Sequence, residues 1–373
     1  EERAANPEQS GSTLCNTLAQ QEAVELLDSA DDYFRRNPNM TLTQRFCLLA
    51  SFCLLTAPAA LSAQTIKIAT IAPESSSWMK DMKAGAKSIE ENTGGRVKFK
   101  FYGGGVQGND KQVQRKMRTG QLHGGAFSSG GMNRFQKDAD IFSLPMLFNT
   151  IDEARYVRKE LEPEVRQRLE DAGYVNFGLA AAGFAYMMSN KPARSLDDLK
   201  GQKVWTPEGD QVSFAALRAL GVAPVVMPVT DVMTGLQTDL LDSIAAPPVG
   251  AIVFQWHTRL KYLTDVPIAY VYASLLIDKR VFSRIAPADQ EVVREVMEGI
   301  YRKFDKYGVS DNDEAMQALL DGGLEKLSPD AAEMDQWRDV VHQSHRKMAE
   351  DGVFDLALYE RIQGMLSDYR AGQ

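Results

Sequence analysis

Residues 195–248, SLDDLKGQKVWTPEGDQVSFAALRALGVAPVVMPVTDVMTGLQTDLLDSIAAPP, decide the fold of this chain. They read as strand, helix, strand, helix, strand. A β-branched and aromatic run at 202–206 is followed by a turn on Pro207, Glu208 and Gly209. Val212, Phe214, Ala215, Leu217, Ala219 and Leu220 then mark one helical face, and Gly221 stops that helix. Residues 222–227 form the next apolar run, Asp231 stands as a cap for a helix over 232–238, and 242–245 opens the last strand. Strands alternating with helices of this length imply a parallel sheet, whose ligands sit at the carboxyl ends of the strands. The loops 206–210 and 246–250 are therefore the expected site loops.

The blocks DLKGQKVWTP and LGVAPVVMPVTDVMTGLQTDLLDSIAAPP resemble those of the solute receptors of tripartite ATP-independent periplasmic (TRAP) transporters, written DLKGxKxRxP and LGAxPxPMPxxEVYxALQTGxxDGxENP. The resemblance extends upstream to IKIATIAPESSSWMKDM, NTGGRVKFKFYGGGVQGNDKQVQRKMRTGQLHGG and GFAYMMSNKP, and so covers the chain from Thr65 onward. It implies an α/β architecture, the type II periplasmic-binding-protein fold, with two α/β domains and a ligand cleft between them. The expected division is 64–183 with 274–312 for the first domain, and 184–273 with 313–373 for the second. The family's ligand is a small organic molecule, delivered to TRAP membrane subunits.

Three polar handles of that family are missing. The arginine of KxRxP is Trp205, the arginine after the Gly-Phe pair is Ala185, and the asparagine before the proline of ENP is Ala246. A buried carboxylate without a cationic partner is strongly penalised, so a bidentate carboxylate clamp does not survive these replacements. An apolar or weakly polar ligand is expected instead. Trp78, Phe127, Phe184, Tyr186, Trp205 and Trp256 are the candidate wall, with Ala246 at its edge; Ser128, Glu208, Asp210 and Gln211 are the polar candidates.

Composition agrees with a binding protein of this size. The chain has 373 residues, 44 % apolar and 25 % charged, which is room for two domains, and 12 Tyr, 16 Phe and 4 Trp supply aromatic surface. A net charge of −8 argues against a nucleic-acid partner, which needs clustered Lys and Arg.

Residue 1 is Glu. Residues 1–39 carry one amphipathic pattern, and AVELLDSADDYF resembles the end of the TPR-type lipoprotein that accompanies some TRAP receptors; the segment is expected to be a fused tail or an unstructured leader. From Met40, MTLTQR followed by FCLLASFCLLTAPAALSA has the pattern of a secretory signal peptide over 40–63, cleaved after Ser62 or Ala63. Cys15, Cys47 and Cys53 all precede that point, so a soluble periplasmic protein without disulfides is expected.

Two other signals bear on function. Gly103, Gly105 and Gly108 form a G-x-G-x-x-G between a strand and a helix, but no acidic residue ends a second strand about 20 residues on, so the segment reads as a turn and no cofactor is expected. His342 and His345 lie one helical turn apart without a nearby cysteine and read as surface; His257 reads as a hydrogen-bonded structural residue. The rival classes are an enzyme on a binding-protein fold and a chaperone-like binder of hydrophobic molecules. An enzyme is disfavoured because no G-x-S-x-G, H-E-x-x-H or Walker loop occurs and no cysteine follows Cys53.

Overall fold

The structure, a computed structural model, describes residues 63–372. The leader, the three cysteines and all of the signal segment except Ala63 lie outside the described residues. Among the described residues no helix is long and apolar enough to cross a membrane.

The first lobe grows from β1 (Gln64–Thr70), whose Ile66 and Ile68 are fully buried. Helix α1 (Ser77–Asn92) follows, capped by Ser76, whose side chain accepts the Met79 N–H. Strand β2 (Val97–Tyr102), helix α2 (Asp110–Arg118) and β3 (Gly124–Ser128) complete a parallel set, with Ile68 opposite both Phe101 and Gly124. The GxGxxG stretch is a turn: Gly104, Gly105 and Gly108 take positive φ, which a side chain would oppose. The short α3 (Ser129–Met132) leads through irregular chain to α4 (Ile151–Asp171), which has Asp152 and Glu153 in its first turn. Acidic residues there complement the helix dipole.

The chain then passes β4 (Tyr174–Val175) and β5 (Ala180–Ser189) into the second lobe. There α5 (Leu196–Lys200), β6 (Val204–Pro207), α6 (Gln211–Ala219), β7 (Pro224–Met227), α7 (Val232–Gln237), β8 (Ser243–Ala246) and α8 (Pro248–Val253) realise the expected alternation. Asp231 occupies the N-cap position of α7, but its side chain makes no capping bond because a 3-10 turn over Val229–Asp231 already leads into the helix.

Two elements run through both lobes. Strand β9 (Tyr262–Asp278) pairs antiparallel with β5 along its length, from Met188 opposite Leu263 to Ala180 opposite Ala273, and then with β3. Its 17 residues reach about 55 Å when extended. After α9 (Lys279–Phe282), helix α10 (Pro287–Asp321) sends Val293, Met297 and Tyr301 into the first lobe's core and Leu319 into the second lobe's. Pro287 opens it where no N–H is needed. Gly308 marks its closest approach to β5: a Cβ there would lie 1.8 Å from the Ala181 carbonyl oxygen, so no side chain fits.

An ionic cluster joins α4 to α10 and β9. Arg158 on α4, only 5 % exposed, pairs with Glu162 at 2.6 Å and Asp305 of α10 at 2.8 Å. It also donates to the Tyr270 hydroxyl and the Leu179 carbonyl, each at 2.6 Å.

The chain closes with β10 (Glu325–Leu327), α11 (Ala331–Glu350) and α12 (Leu356–Ala371); the end of α11, with Met348 and Ala349, packs with α12, while the start of α11 packs elsewhere. Met334, Trp337 and Val341 of α11 pack with Val204, Ala216 and Leu220 in the second lobe. Leu358, Ile362 and Leu366 of α12 instead join Val157 and Leu161 of α4 in the first. Placing the whole of 313–373 in the second lobe therefore does not describe the packing of the last helix, because its apolar face has its partners on α4.

Candidate functional site

Between the lobes lies an inner chamber of about 290 Å³. The expected loops supply one side of it: Thr206, Pro207 and Asp210 from the end of β6, and Ala246, Pro247, Val249 and Gly250 from the end of β8. Trp205, Trp256, Phe254 and Tyr272 provide aromatic wall, and Trp337 and Val341 of α11 close the far end. Asp210 is the one charged side chain on this wall, and no Lys, Arg or His lines it among the described residues.

Trp205 is held at both ends of its indole. Its Nε1–H donates to the Met227 carbonyl oxygen at 2.9 Å, and its ring meets that of Trp256 edge-on, centroids 5.6 Å apart. Trp256 stacks in turn on Phe254 at 4.9 Å. With the N–H already used, the indole offers the chamber an apolar surface.

Asp210 caps α6 by accepting the Ser213 N–H at 2.9 Å. Burial raises its carboxyl above the usual range, opposed by the Ser213 hydrogen bonds. Behind it Asp140, only 4 % exposed, is pushed up to about 8 by burial and by the charge of Asp210, with Asn133 donating to it at 3.1 Å. Asp110 is pushed to about 6 by burial, opposed by Arg134.

The mouth is fastened across the lobes. Asn109 donates to the Glu208 carboxylate at 3.0 Å, Arg134 to the Glu208 carbonyl at 3.0 Å, and Asn133 to the Gly209 carbonyl at 3.2 Å. Glu208 thus binds the opposite lobe and does not line the inner chamber. Gly209 has φ +98, and a Cβ there would lie 2.2 Å from Arg134 Nη2, so glycine lets the two lobes approach.

A second chamber of about 500 Å³ adjoins the first. Trp78 lines it and stacks on Phe304 of α10, centroids 5.6 Å apart. Ser128 lines both chambers. Lys303 lies on this outer wall with both carboxylate oxygens of Asp81 within 2.9 Å.

Of the expected wall residues, Trp205, Trp256, Ala246, Asp210 and Ser128 face the inner chamber and Trp78 the outer. Phe184 and Tyr186 do not line either one: Phe184 packs on Tyr270 at 5.8 Å, and Tyr186 packs against both lobes' cores. Their strand neighbours Ala185 and Met187 line the inner chamber instead, since successive side chains leave opposite faces of β5. Phe127 borders the outer chamber, but it is only 2 % exposed and packs on Phe135 at 4.6 Å. Gln211 lines neither chamber.

The histidines divide. His257 bonds the Ala251 carbonyl at 3.1 Å, as expected of a structural residue. His342 reaches the Met146 carbonyl at 3.0 Å, but His345 is fully buried with no partner for either ring nitrogen, so the expectation that it lies at the surface fails. Its side of α11 faces Tyr359, 6.2 Å away and edge-on. Among the described residues no group of three or more His, Cys, Asp or Glu could hold a metal.

A two-lobed α/β body with a cleft at the strand ends is the architecture of a binding protein that encloses its ligand. Residues 68–351 match the bacterial extracellular solute-binding proteins of family 7, the DctP family, and the chain belongs to that family. It is 26 % identical over 269 residues to the C4-dicarboxylate-binding periplasmic protein DctP of Rhodobacter capsulatus, covering 70 % of this chain and 79 % of that one. Over 212 residues it is 26 % identical to the uncharacterized protein YiiZ of Salmonella typhimurium, covering 56 % of this chain. The match spans 64 % of YiiZ and 62 % of a solute-binding protein of Verminephrobacter eiseniae, a little under two thirds of either relative.

Among solved structures, a TRAP periplasmic solute-binding protein from Desulfovibrio salexigens with bound orotic acid superposes with TM-score 0.74 at 16 % identity, covering 82 % of this chain and 99 % of that one. One from Xanthobacter autotrophicus with bound β-D-galacturonate gives 0.73 at 21 %, covering 81 % and 99 %. The fold is therefore the two-domain type II periplasmic-binding fold.

Proposed function

We propose that this chain is a TRAP-type periplasmic receptor whose cleft captures an apolar or weakly polar organic molecule rather than a small carboxylate. The observation that carries the reading is the inner wall: the position of the family's clamp arginine is Trp205, and among the described residues no Lys, Arg or His lines that wall. A carboxylate in such a chamber would lose its water without gaining a counter-charge. Of the proteins named above, the Rhodobacter capsulatus relative is named for C4-dicarboxylates and the two solved structures hold orotic acid and β-D-galacturonate; this chain lacks the family pattern's arginine at Trp205.

In this reading Trp205, Trp256, Ala246, Asp210 and Ser128 touch the ligand, and Trp78 stands at its outer end. The first lobe comprises 64–183, 274–312 and the last helix; the second holds the rest. Ligand binding stabilises the closed form through its higher affinity for that form, and the closed form is what the membrane subunits receive. Residues 40–63 direct the chain to the periplasm, and a TPR-type lipoprotein is a further partner. Binding, not catalysis, is the activity.

A thermal-shift panel tests this. Orotate, D-glucuronate and succinate are expected to leave Tm unchanged at millimolar concentration, while neutral aromatic or aliphatic molecules raise it, because ligand that binds only the native state stabilises by mass action. A rise with succinate or glucuronate and none with neutral molecules would overturn the reading.

A further inference from the structure

The inner and outer chambers are not separate sites. Ile71, Ser128, Ala182, Val249, Gly250 and Phe254 line both, so the two volumes meet at a waist of small and apolar side chains. Beyond the waist the chemistry changes. The inner side is apolar apart from Asp210 and a few hydroxyls, whereas the outer side carries Asp81, Lys303, Asp311, Ser76 and Ser77 among Trp78, Phe304 and Tyr307.

Charge on the outer side is biased. Lys303 is already held by both oxygens of Asp81, at 2.9 and 2.8 Å, which leaves Asp311 without a cation in that wall among the described residues. A carboxylate placed there would share Lys303 with Asp81 and face Asp311, setting three negative groups against one ammonium. An uncharged polar group meets no such cost, and can accept from Lys303 or donate to either acid.

Resting on the reading of an apolar inner site, we propose that the two chambers form one elongated site for an extended amphipathic molecule. Its apolar body fills the inner chamber, its chain threads the waist at Gly250, and its uncharged polar end lies between Trp78 and Lys303. Gly250 is the natural place to obstruct this path. The nearest heavy atom to a Cβ built there is Pro247 Cδ at 3.9 Å, so a side chain at this helical position enters open space. Replacing glycine within a helix does not oppose the backbone.

The test is a chain-length series measured by isothermal titration or tryptophan fluorescence, with straight-chain 1-alkanols of about four to ten carbons and the carboxylates of the same lengths. With the wild-type protein, affinity for the alkanols is expected to rise about fourfold per added methylene through the longest member. Each long carboxylate should bind at least about tenfold more weakly than its alkanol, the cost of an unpaired charge. In Gly250→Leu and in Val249→Phe the rise should stop part-way along the series, leaving the longest alkanols at least about tenfold weaker than in wild type. Cooperative unfolding of both variants checks that they fold.

A rise that continues unbroken in both folded variants would overturn the waist. Long carboxylates binding as tightly as the alkanols would overturn the uncharged end. A wild-type series that is flat beyond the shorter members refutes the elongated site while leaving the apolar inner site standing; no binding of any alkanol refutes both.

Discussion

Trp205 donates its indole N–H to the Met227 carbonyl oxygen at 2.9 Å across the paired strands β6 and β7. The bond turns a residue at a strand end beside the inner chamber into a fixed piece of wall. Trp205→Ala removes the ring, its edge-on contact with Trp256 and the bond. We expect a loss of about 3–5 kcal/mol in stability, read by urea unfolding, and a loss of ligand affinity. Unchanged affinity in a folded variant would take Trp205 out of the site.

Arg158 lies in the first lobe but joins α4 to α10 and β9. Removing the buried guanidinium leaves Glu162 and Asp305, 20 % and 44 % exposed, with partial access to water, so the cost is about 1–3 kcal/mol. Arg158→Met should lower the urea midpoint accordingly. A midpoint within error of wild type would mean that Glu162 and Asp305 find water when the guanidinium is gone.

Asp140 gives stability a negative slope with pH. Its carboxyl titrates at about 8 in the folded protein, against about 3.9 when unfolded. Between those values the native state holds a proton that the unfolded chain has released. This stabilising contribution is complete below the unfolded value and is lost as pH rises through the folded one, by up to about 1.4 kcal/mol per pH unit. In Asp140→Asn the slope between pH 5 and pH 8 should flatten in urea melts. An unaltered slope would assign it to other groups.

His345 acts in the opposite direction. Burial lowers it to about 3, while the unfolded ring titrates near about 6.5. Below that value the unfolded chain takes up a proton that the native state refuses, so stability falls as pH drops from about 6.5 toward about 3. His345→Leu removes two unpartnered ring nitrogens and should stabilise by about 1–3 kcal/mol at neutral pH, seen as a higher Tm and a shallower acid limb. A destabilised variant would show that the ring's packing against Tyr359 outweighs its unmet hydrogen bonds.

Much of this was legible in the chain itself. The alternation over 195–248 names the strands and helices, and both loops it points to, 206–210 and 246–250, line the inner chamber. The missing arginine is equally plain at Trp205. What the pattern could not reveal is which face of β5 meets the cleft, because the strand is buried on both sides: Phe184 and Tyr186 point one way and Ala185 and Met187 the other. A one-residue alternation decides between core and site, and a strand without a polar face carries no sign of it. The outer chamber was out of reach for a different reason. Phe304 stacks on Trp78, and Tyr307 lines the same chamber, only because α10 runs back across the first lobe, a relationship that no local periodicity encodes. His345 lies on a helix that looks charged in sequence, and its burial depends on packing against Tyr359 of α12, which local periodicity does not encode.

The most direct test of an apolar cleft is native mass spectrometry of the protein purified without refolding, followed by extraction and identification of whatever is bound. The account predicts a co-purifying neutral, amphipathic or aromatic molecule. A bound succinate, uronate or other small carboxylate would show that another cation has replaced the missing arginine, and would contradict it.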